Sequence, residues 1–339
     1  MPVPPDPDLV EDPPLPPWIT PFNPETEPSG LGTAAPSRFV LLLDGAQVPN
    51  LSEMADLHGL EAACLFGGRA AEELAAVAPW LVRVEPGADS FASLLHSTNT
   101  LWDVWGGSRF VLLKTARSIP DLREHLRGFL RYVGEEPAGA DELGGGQPRG
   151  TLFRFHDGAV LADWLIGTAG HPDRAAALLA VDARGDPLVH RALLRPGLPF
   201  PGLLAVECGM LRAGRPGPRP LDAIDREALR AGADRRLVAR VTARIEPKLH
   251  ALDPLRSDQA RAHVRGALDW LRYWGPSPRE ADDVFQLALL AYMLGDARDA
   301  VVAGPVMSER LVPVSQRIAL TRDSLLAEMR RLDAQEGRI

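Results

Sequence analysis

The chain has 339 residues with a formal net charge of −8, 45% hydrophobic and 24% charged. That length fits one large domain or two medium ones, and no window approaches 18 consecutive apolar residues, which excludes a membrane-spanning helix. An acidic chain whose arginines are scattered beside Asp and Glu reads as a salt-bridged surface and excludes nucleic acid as a main partner.

Residues 1–36 hold 12 prolines and six acidic residues, with no basic residue before Arg38. Such a stretch cannot bury enough apolar surface to offset chain entropy, so a disordered or loosely polyproline-like tail is expected. Pro13-Pro14-Leu15-Pro16-Pro17-Trp18 has the make-up of a proline-rich ligand for an aromatic groove. The N-terminus lacks the basic, apolar and small-residue regions of a secretory signal, so a cytoplasmic location is expected.

From Arg38 short apolar runs alternate with helical patterns. Strands are expected at Phe39–Leu43, Ala62–Phe66, Trp80–Val84, Arg109–Lys114 and Thr151–His156, the first ended by the turn signal Asp44-Gly45. Helices are expected at Leu51–His58, Ala70–Ala78, Ile119–Val133 and Ala159–Ile166. Leu122, Leu126, Phe129 and Leu130 form an apolar stripe on the third, and Glu135 to Gly150 reads as a surface loop. This alternation predicts an α/β N-terminal lobe over 37–212, with a mixed, partly parallel sheet and flanking helices. Residues 213–220, rich in Gly and Pro, read as a linker.

Beyond it, 221–339 is expected to be an all-α C-terminal lobe. Leu237, Val238, Val241 and Ile245 form one stripe, and Val264, Leu268, Leu271 and Trp274 another. Asp283–Leu294 is apolar nearly all round, as a central buried helix would be, with Gly295 as its C-terminal cap. Leu325, Leu326, Met329 and Leu332 mark a last amphipathic helix.

The search for catalytic chemistry finds no constellation. Gly30-Leu31-Gly32-Thr33-Ala34-Ala35 matches the dinucleotide fingerprint, but it follows a proline-rich tail and precedes a strand, the reverse of the required context. Neither Lys114 nor Lys248, the only lysines, follows a glycine, which excludes a Walker-type phosphate cradle, and a GxSxG elbow is missing. The eight histidines never pair at i, i+4, and an adjacent His–carboxylate pair such as His156-Asp157 falls short of a metal ligand set. Cys64 and Cys208 sit in or beside apolar runs and read as inert buried thiols. No cofactor and no enzymatic activity are expected.

Four segments in order carry a resemblance: Phe39–Gln47 (FVLLLDGAQ), Cys64–Val84 (CLFGGRAAEELAAVAPWLVRV), Trp105–Leu130 (WGGSRFVLLKTARSIPDLREHLRGFL) and Leu152–Leu161 (LFRFHDGAVL). Together they resemble the effector-adaptor chaperones of type VI secretion systems, a family long labelled a domain of unknown function. The match is clearest over 38–164 and weaker over 221–295. His156 stands where that family usually has Tyr, and Gly68 where it often has a small polar residue. The resemblance implies a non-enzymatic adaptor that binds a cognate secreted effector (a toxin) and helps load it on the valine-glycine repeat spike protein. The alternatives are an immunity protein for a neighbouring toxin and a hydrolase with a dispersed active site.

Asp44, Arg154 and Asp157 flank strand ends and are expected to serve structure, Asp44 through turn chemistry and Arg154 through an internal ion pair. Aromatic anchors dominate interface energies, which makes Trp102, Trp105, Trp270 and Tyr273 candidates for partner binding.

Overall fold

The computed structural model describes residues 13–23, 38–48, 50–57, 59–84, 110–132, 151–200, 202–211, 217–219, 221–252, 259–274, 281–294, 312–313, 316–324, 327 and 331. In chain order, its first unit contains β1 (Ile19–Phe22), β2 (Arg38–Asp44), α1 (Leu51–Leu57), β3 (Ala62–Cys64), α2 (Arg69–Glu73), β4 (Pro79–Val84) and β5 (Val111–Thr115). There follow α3 (Ile119–Leu130), β6 (Arg131–Tyr132), β7 (Thr151–Leu152), α4 (Gly158–Gly167), α5 (Pro172–Ala175), β8 (Arg191–Leu194) and β9 (Leu203–Glu207). The helix α6 (Ala223–Leu252) runs into the second unit, which holds α7 (Ala260–Trp274), α8 (Ala281–Leu294) and a helical stretch at 316–324. The compact units are Pro13–Ala233 and Asp234–Ile339, so the division falls inside α6 rather than at the Gly/Pro stretch 213–220.

Seven strands form one sheet in the order β1-β9-β8-β5-β2-β4-β3, and every ladder in it is antiparallel. The partly parallel sheet expected from the alternation of strands and helices is therefore wrong. Two physical features misled that reading. β2 and β3 do run the same way, but β4 lies between them, so α1 joins strands that are not neighbours. The unbroken apolar run of β2 is a mark of a sheet covered on both faces, which parallel sheets show most often. Here Val40 and Leu42 enter one core with α3 and α4, while Leu41 and Leu43 enter another with Val48 and Leu51.

The strand expected at Thr151–His156 also stops early. Leu152 pairs with Arg131, Phe153 N–H donates to the Leu130 carbonyl (3.2 Å), and the chain then turns, with Asp157 N–H donating to the Arg154 carbonyl (3.0 Å). The helix expected at Ala70–Ala78 is shorter: α2 ends at Glu73 and passes into a short 3-10 turn, Ala75–Val77, with Leu74 and Val77 about half exposed.

The proline-rich tail contains a strand. β1 pairs with β9 through Ile19↔Val206 to Phe22↔Leu203, and Trp18, Ile19 and Phe22 are buried. Each such side chain contributes ~1.5–3 kcal/mol when fully buried, enough to hold a segment whose composition otherwise favours disorder. Glu207 N–H donates to the Trp18 carbonyl (2.9 Å), which by alternation turns the Pro21 nitrogen away from β9. Proline is tolerated there because the missing N–H would have faced solvent, and its absence ends the sheet at that edge.

α4 and α6 meet at small residues. A Cβ on Gly167 would lie 2.5 Å from the Ala228 Cβ, and one on Gly232 would lie 2.2 Å from the Asp163 Cβ. The second unit has its own core of Leu237, Val238, Val241, Ile245 and Leu249 from α6, Val264 and Leu268 from α7, and Val284, Phe285 and Leu287 from α8, closed by Ile318. Arg244 stacks on the Phe285 ring at 4.3 Å and pairs with Asp282 at the start of α8.

Candidate functional site

The residues that the sequence singles out for their chemistry converge where β2 ends and α4 begins. β2 delivers Asp44 at its last position, with its side chain 4% exposed. One carboxylate oxygen accepts the Ala46 N–H (3.0 Å), closing a turn; the other accepts the Gln47 side-chain amide (3.2 Å) and an Arg154 guanidinium N–H (2.5 Å). The next residue has to be glycine. Gly45 N–H donates to the Ala78 carbonyl at 2.8 Å, and a Cβ there would sit 2.6 Å from that same oxygen, which is backbone and cannot swing away.

Arg154 comes from the turn between β7 and α4 and keeps about half its side chain in solvent. Arg154 pairs with Asp44 across 110 positions of sequence, with the acid as the buried member and the base as the accessible one. Phe153 and Phe155 on either side are buried, the Phe153 ring 5.3 Å from Trp164 and 5.7 Å from Phe155. Asp157 has a separate task. As the N-cap of α4 its carboxylate accepts the Ala159 N–H (2.9 Å), the role that Asp fills at helix starts.

His156 completes the cluster and is 1% exposed. Its Nε2 lies 3.8 Å from the nearer Asp44 oxygen, and its Nδ1 finds no hydrogen-bond partner among the described residues. Burial pushes the imidazole down to about 4, against the pull of Asp44 and with the help of Arg154, so the ring is neutral at pH 7. The close approach to Asp44 is therefore not an ion pair at that pH. Burial alone would raise the Asp44 carboxyl. The Arg154 bond, His156 and the Ala46 and Gln47 donors outweigh it and hold the acid below the usual carboxylate range.

A second grip lies on the Leu65-Phe66-Gly67-Gly68 loop. Arg123 of α3 donates to the Cys64 carbonyl (2.7 Å) and the Phe66 carbonyl (3.1 Å), and Arg127 passes over Gly67. Gly68 has φ 55° and ψ −143°, a combination that glycine adopts readily and that residues carrying a Cβ essentially avoid.

A further charged cluster, which sequence reasoning did not find, fixes α4, α5 and the start of α6. Fully buried Asp225 accepts the Trp164 indole N–H (2.9 Å) and pairs with Arg174 (2.8 Å) and Arg219 (3.0 Å). Arg174 also holds Asp222 through two N–H···O bonds of 2.9 and 2.8 Å. That fork holds the Asp222 carboxyl far below its ordinary value and raises the Arg174 guanidinium. The signal was present only as Asp222, Asp225 and Arg219 crowded at a helix start.

The four aromatic candidates cannot be placed in this way. Trp102 and Trp105 lie outside the described residues; Trp270 and Tyr273 fall on α7, but their side chains lie outside the described set. Cys208 is buried and burial pushes its thiol up, as it does for half-buried Cys64. Neither is a ready nucleophile at neutral pH. Among the described residues no group of three His, Cys, Asp or Glu side chains is arranged to hold a metal ion, and no helix is long and apolar enough to cross a membrane.

Residues 40–172 match the family model described as "Domain of unknown function (DUF4123)". The matched stretch runs from β2 to the start of α5 and takes in Asp44, Gly45, the Arg123 grip, Arg154, His156 and Asp157. No curated protein and no solved structure matches the chain.

Proposed function

We propose that this protein is an adaptor chaperone of a type VI secretion system, binding a cognate toxic effector and bringing it to the valine-glycine repeat spike protein. The observation that carries this reading is the family-model match over 40–172, since that family is associated with effector adaptors of this kind. The motif segments FVLLLDGAQ and LFRFHDGAVL agree with it, because the Asp44–Arg154 pair joins them into one surface-reaching feature. Arg154 keeps donors in solvent while its position is set by a buried acid. Such a preorganised guanidinium suits recognition of a carboxylate or main-chain carbonyl on a partner.

In this reading the protein works by binding alone and is not an enzyme. Co-expression with the toxin encoded beside it tests the reading. An adaptor raises the soluble yield of the toxin and co-purifies with both toxin and spike protein, leaving the toxin active. Abolished toxicity would identify an immunity protein instead, and failure to retain either partner would reject the adaptor role.

A further inference from the structure

The edge of the sheet opposite β3 is built in an unusual way. β8 and β9 form a hairpin, and its outer strand is covered by a four-residue strand from a segment that is otherwise acidic and proline-rich. β1, β8 and β9 all lie outside residues 40–172, so this edge is not part of the stretch that carries the adaptor reading, and a role for it is independent of that reading.

The contacts of β1 define a ligand rather than a generic strand. Trp18 and Ile19 enter the core that lies under α3 and α4, and Leu15 packs against the same core. Phe22 enters the opposite core, its ring 5.2 Å from the guanidinium of Arg191, which pairs with Glu207 on the neighbouring strand (2.6 Å). Thr20 and Pro21 between them are exposed. The main chain supplies pairing along β9, and three side-chain recesses supply selectivity, which is how strand addition to a sheet edge recognises a peptide. Prolines at 13, 14, 16 and 17 before the strand, and Pro21 and Pro24 within and after it, confine the pairing to a short piece with a definite end.

We infer that the β9 edge, with the recesses for Trp18, Ile19 and Phe22, is a strand-acceptor site for extended protein segments of Trp-Ile-x-x-Phe type. The chain's own residues 13–23 fill it in cis, and a partner segment of the same uncharged, aromatic and β-branched chemistry takes their place in trans. Cis occupancy depends on tethering. A covalently attached segment competes at an effective concentration that a free one must exceed, so the site accepts a partner only when the partner binds tightly or the tether is relieved. A vacated β9 would otherwise expose unpaired main-chain groups, the feature that promotes edge-to-edge association.

The test uses the full chain carrying a site for a sequence-specific protease within residues 24–37, and a fluorescent peptide of residues 13–23 as probe. Cutting the tether after folding should strengthen peptide binding about a hundredfold or more over the uncut protein, measured by anisotropy, because the cis competitor then dissociates on dilution. A full-length, uncut Trp18→Ala chain provides a second route, since its weakened cis segment should yield to the wild-type peptide. A peptide with Ile19→Asp should not bind in either case. Refusal of the wild-type peptide by both proteins, or equal binding of the Ile19→Asp peptide, would overturn the inference. Neither result bears on whether the protein retains a toxin or a spike protein, so this test and that of the adaptor role fail separately.

Discussion

His156 is a buried base beside a buried acid, and this fixes how acid should act on the protein. Its folded value of about 4 lies below the ordinary 6.5 of an unfolded histidine. Between those values the unfolded chain binds a proton that the folded one refuses, so stability is full above about pH 6.5 and falls as pH drops toward 4. The whole difference corresponds to ~3 kcal/mol. His125, buried and bonded to the Leu178 carbonyl, is shifted down as well and adds a loss of the same sign. Asp44, held low, contributes stability that is lost at still lower pH, as pH falls from the ordinary 3.8 through its depressed value. Urea denaturation at pH 7 and pH 5 should therefore show a marked loss for the natural protein and a smaller one for His156→Phe. Equal losses in the two would mean that His156 is hydrated and titrates normally. The His156-Asp157 pair was visible in the sequence as an adjacent base and acid. Asp44 as the actual neighbour was not, because a contact between residues more than a hundred positions apart leaves no local periodicity.

Elements with strong local signals were legible. The expected strand at Phe39–Leu43 and helices at Leu51–His58, Ile119–Val133 and Ala159–Ile166 lie within a few residues of β2, α1, α3 and α4. Strand direction was not legible, since an apolar run states that both faces are covered and nothing about which way its neighbours point. β1 was hidden because four residues among prolines present too short a pattern, and β8 is just as short while β9 adds a single residue. The Asp44-Gly45 turn shows how an element's end is set by packing. Sequence reads it as a turn signal; the structure adds that β2 and the 78–79 corner approach within a distance that only glycine allows. Gly45→Ala should destabilise the protein by ~1–3 kcal/mol, the usual cost of forcing atoms into a filled space, with the backbone carbonyl of Ala78 unable to rotate out. A thermal melt unchanged from the natural protein would show that the corner opens freely. Gly68→Ala, at φ 55° and ψ −143° with open space around it, should lose ~1–3 kcal/mol, through backbone strain alone.

At the scale of the whole molecule, the described residues hold separate apolar cores in the two units. Those of Pro13–Ala233 lie on the two faces of the sheet, and that of Asp234–Ile339 is built from α6, α7, α8 and Ile318. α6 contributes to both units at different turns. Ala228 belongs to the first, meeting Gly167 of α4, while Leu237, Val241, Ile245 and Leu249 recur at helical spacing in the second. A helix shared in this way carries no requirement that the cores melt together, because side-chain burial, rather than helix propensity, supplies most helical stability in proteins. Ile245 is fully buried, and Ile245→Ala removes apolar volume from the centre of the second core, a change that costs ~2–5 kcal/mol. Hydrogen exchange followed segment by segment should show the loss concentrated at 237–249, 260–268 and 284–288. Protection in β2 and β5, whose side chains fill the sheet cores, should remain near its natural level. Equal loss of protection in β2 and β5 would show that the two units unfold as one cooperative body.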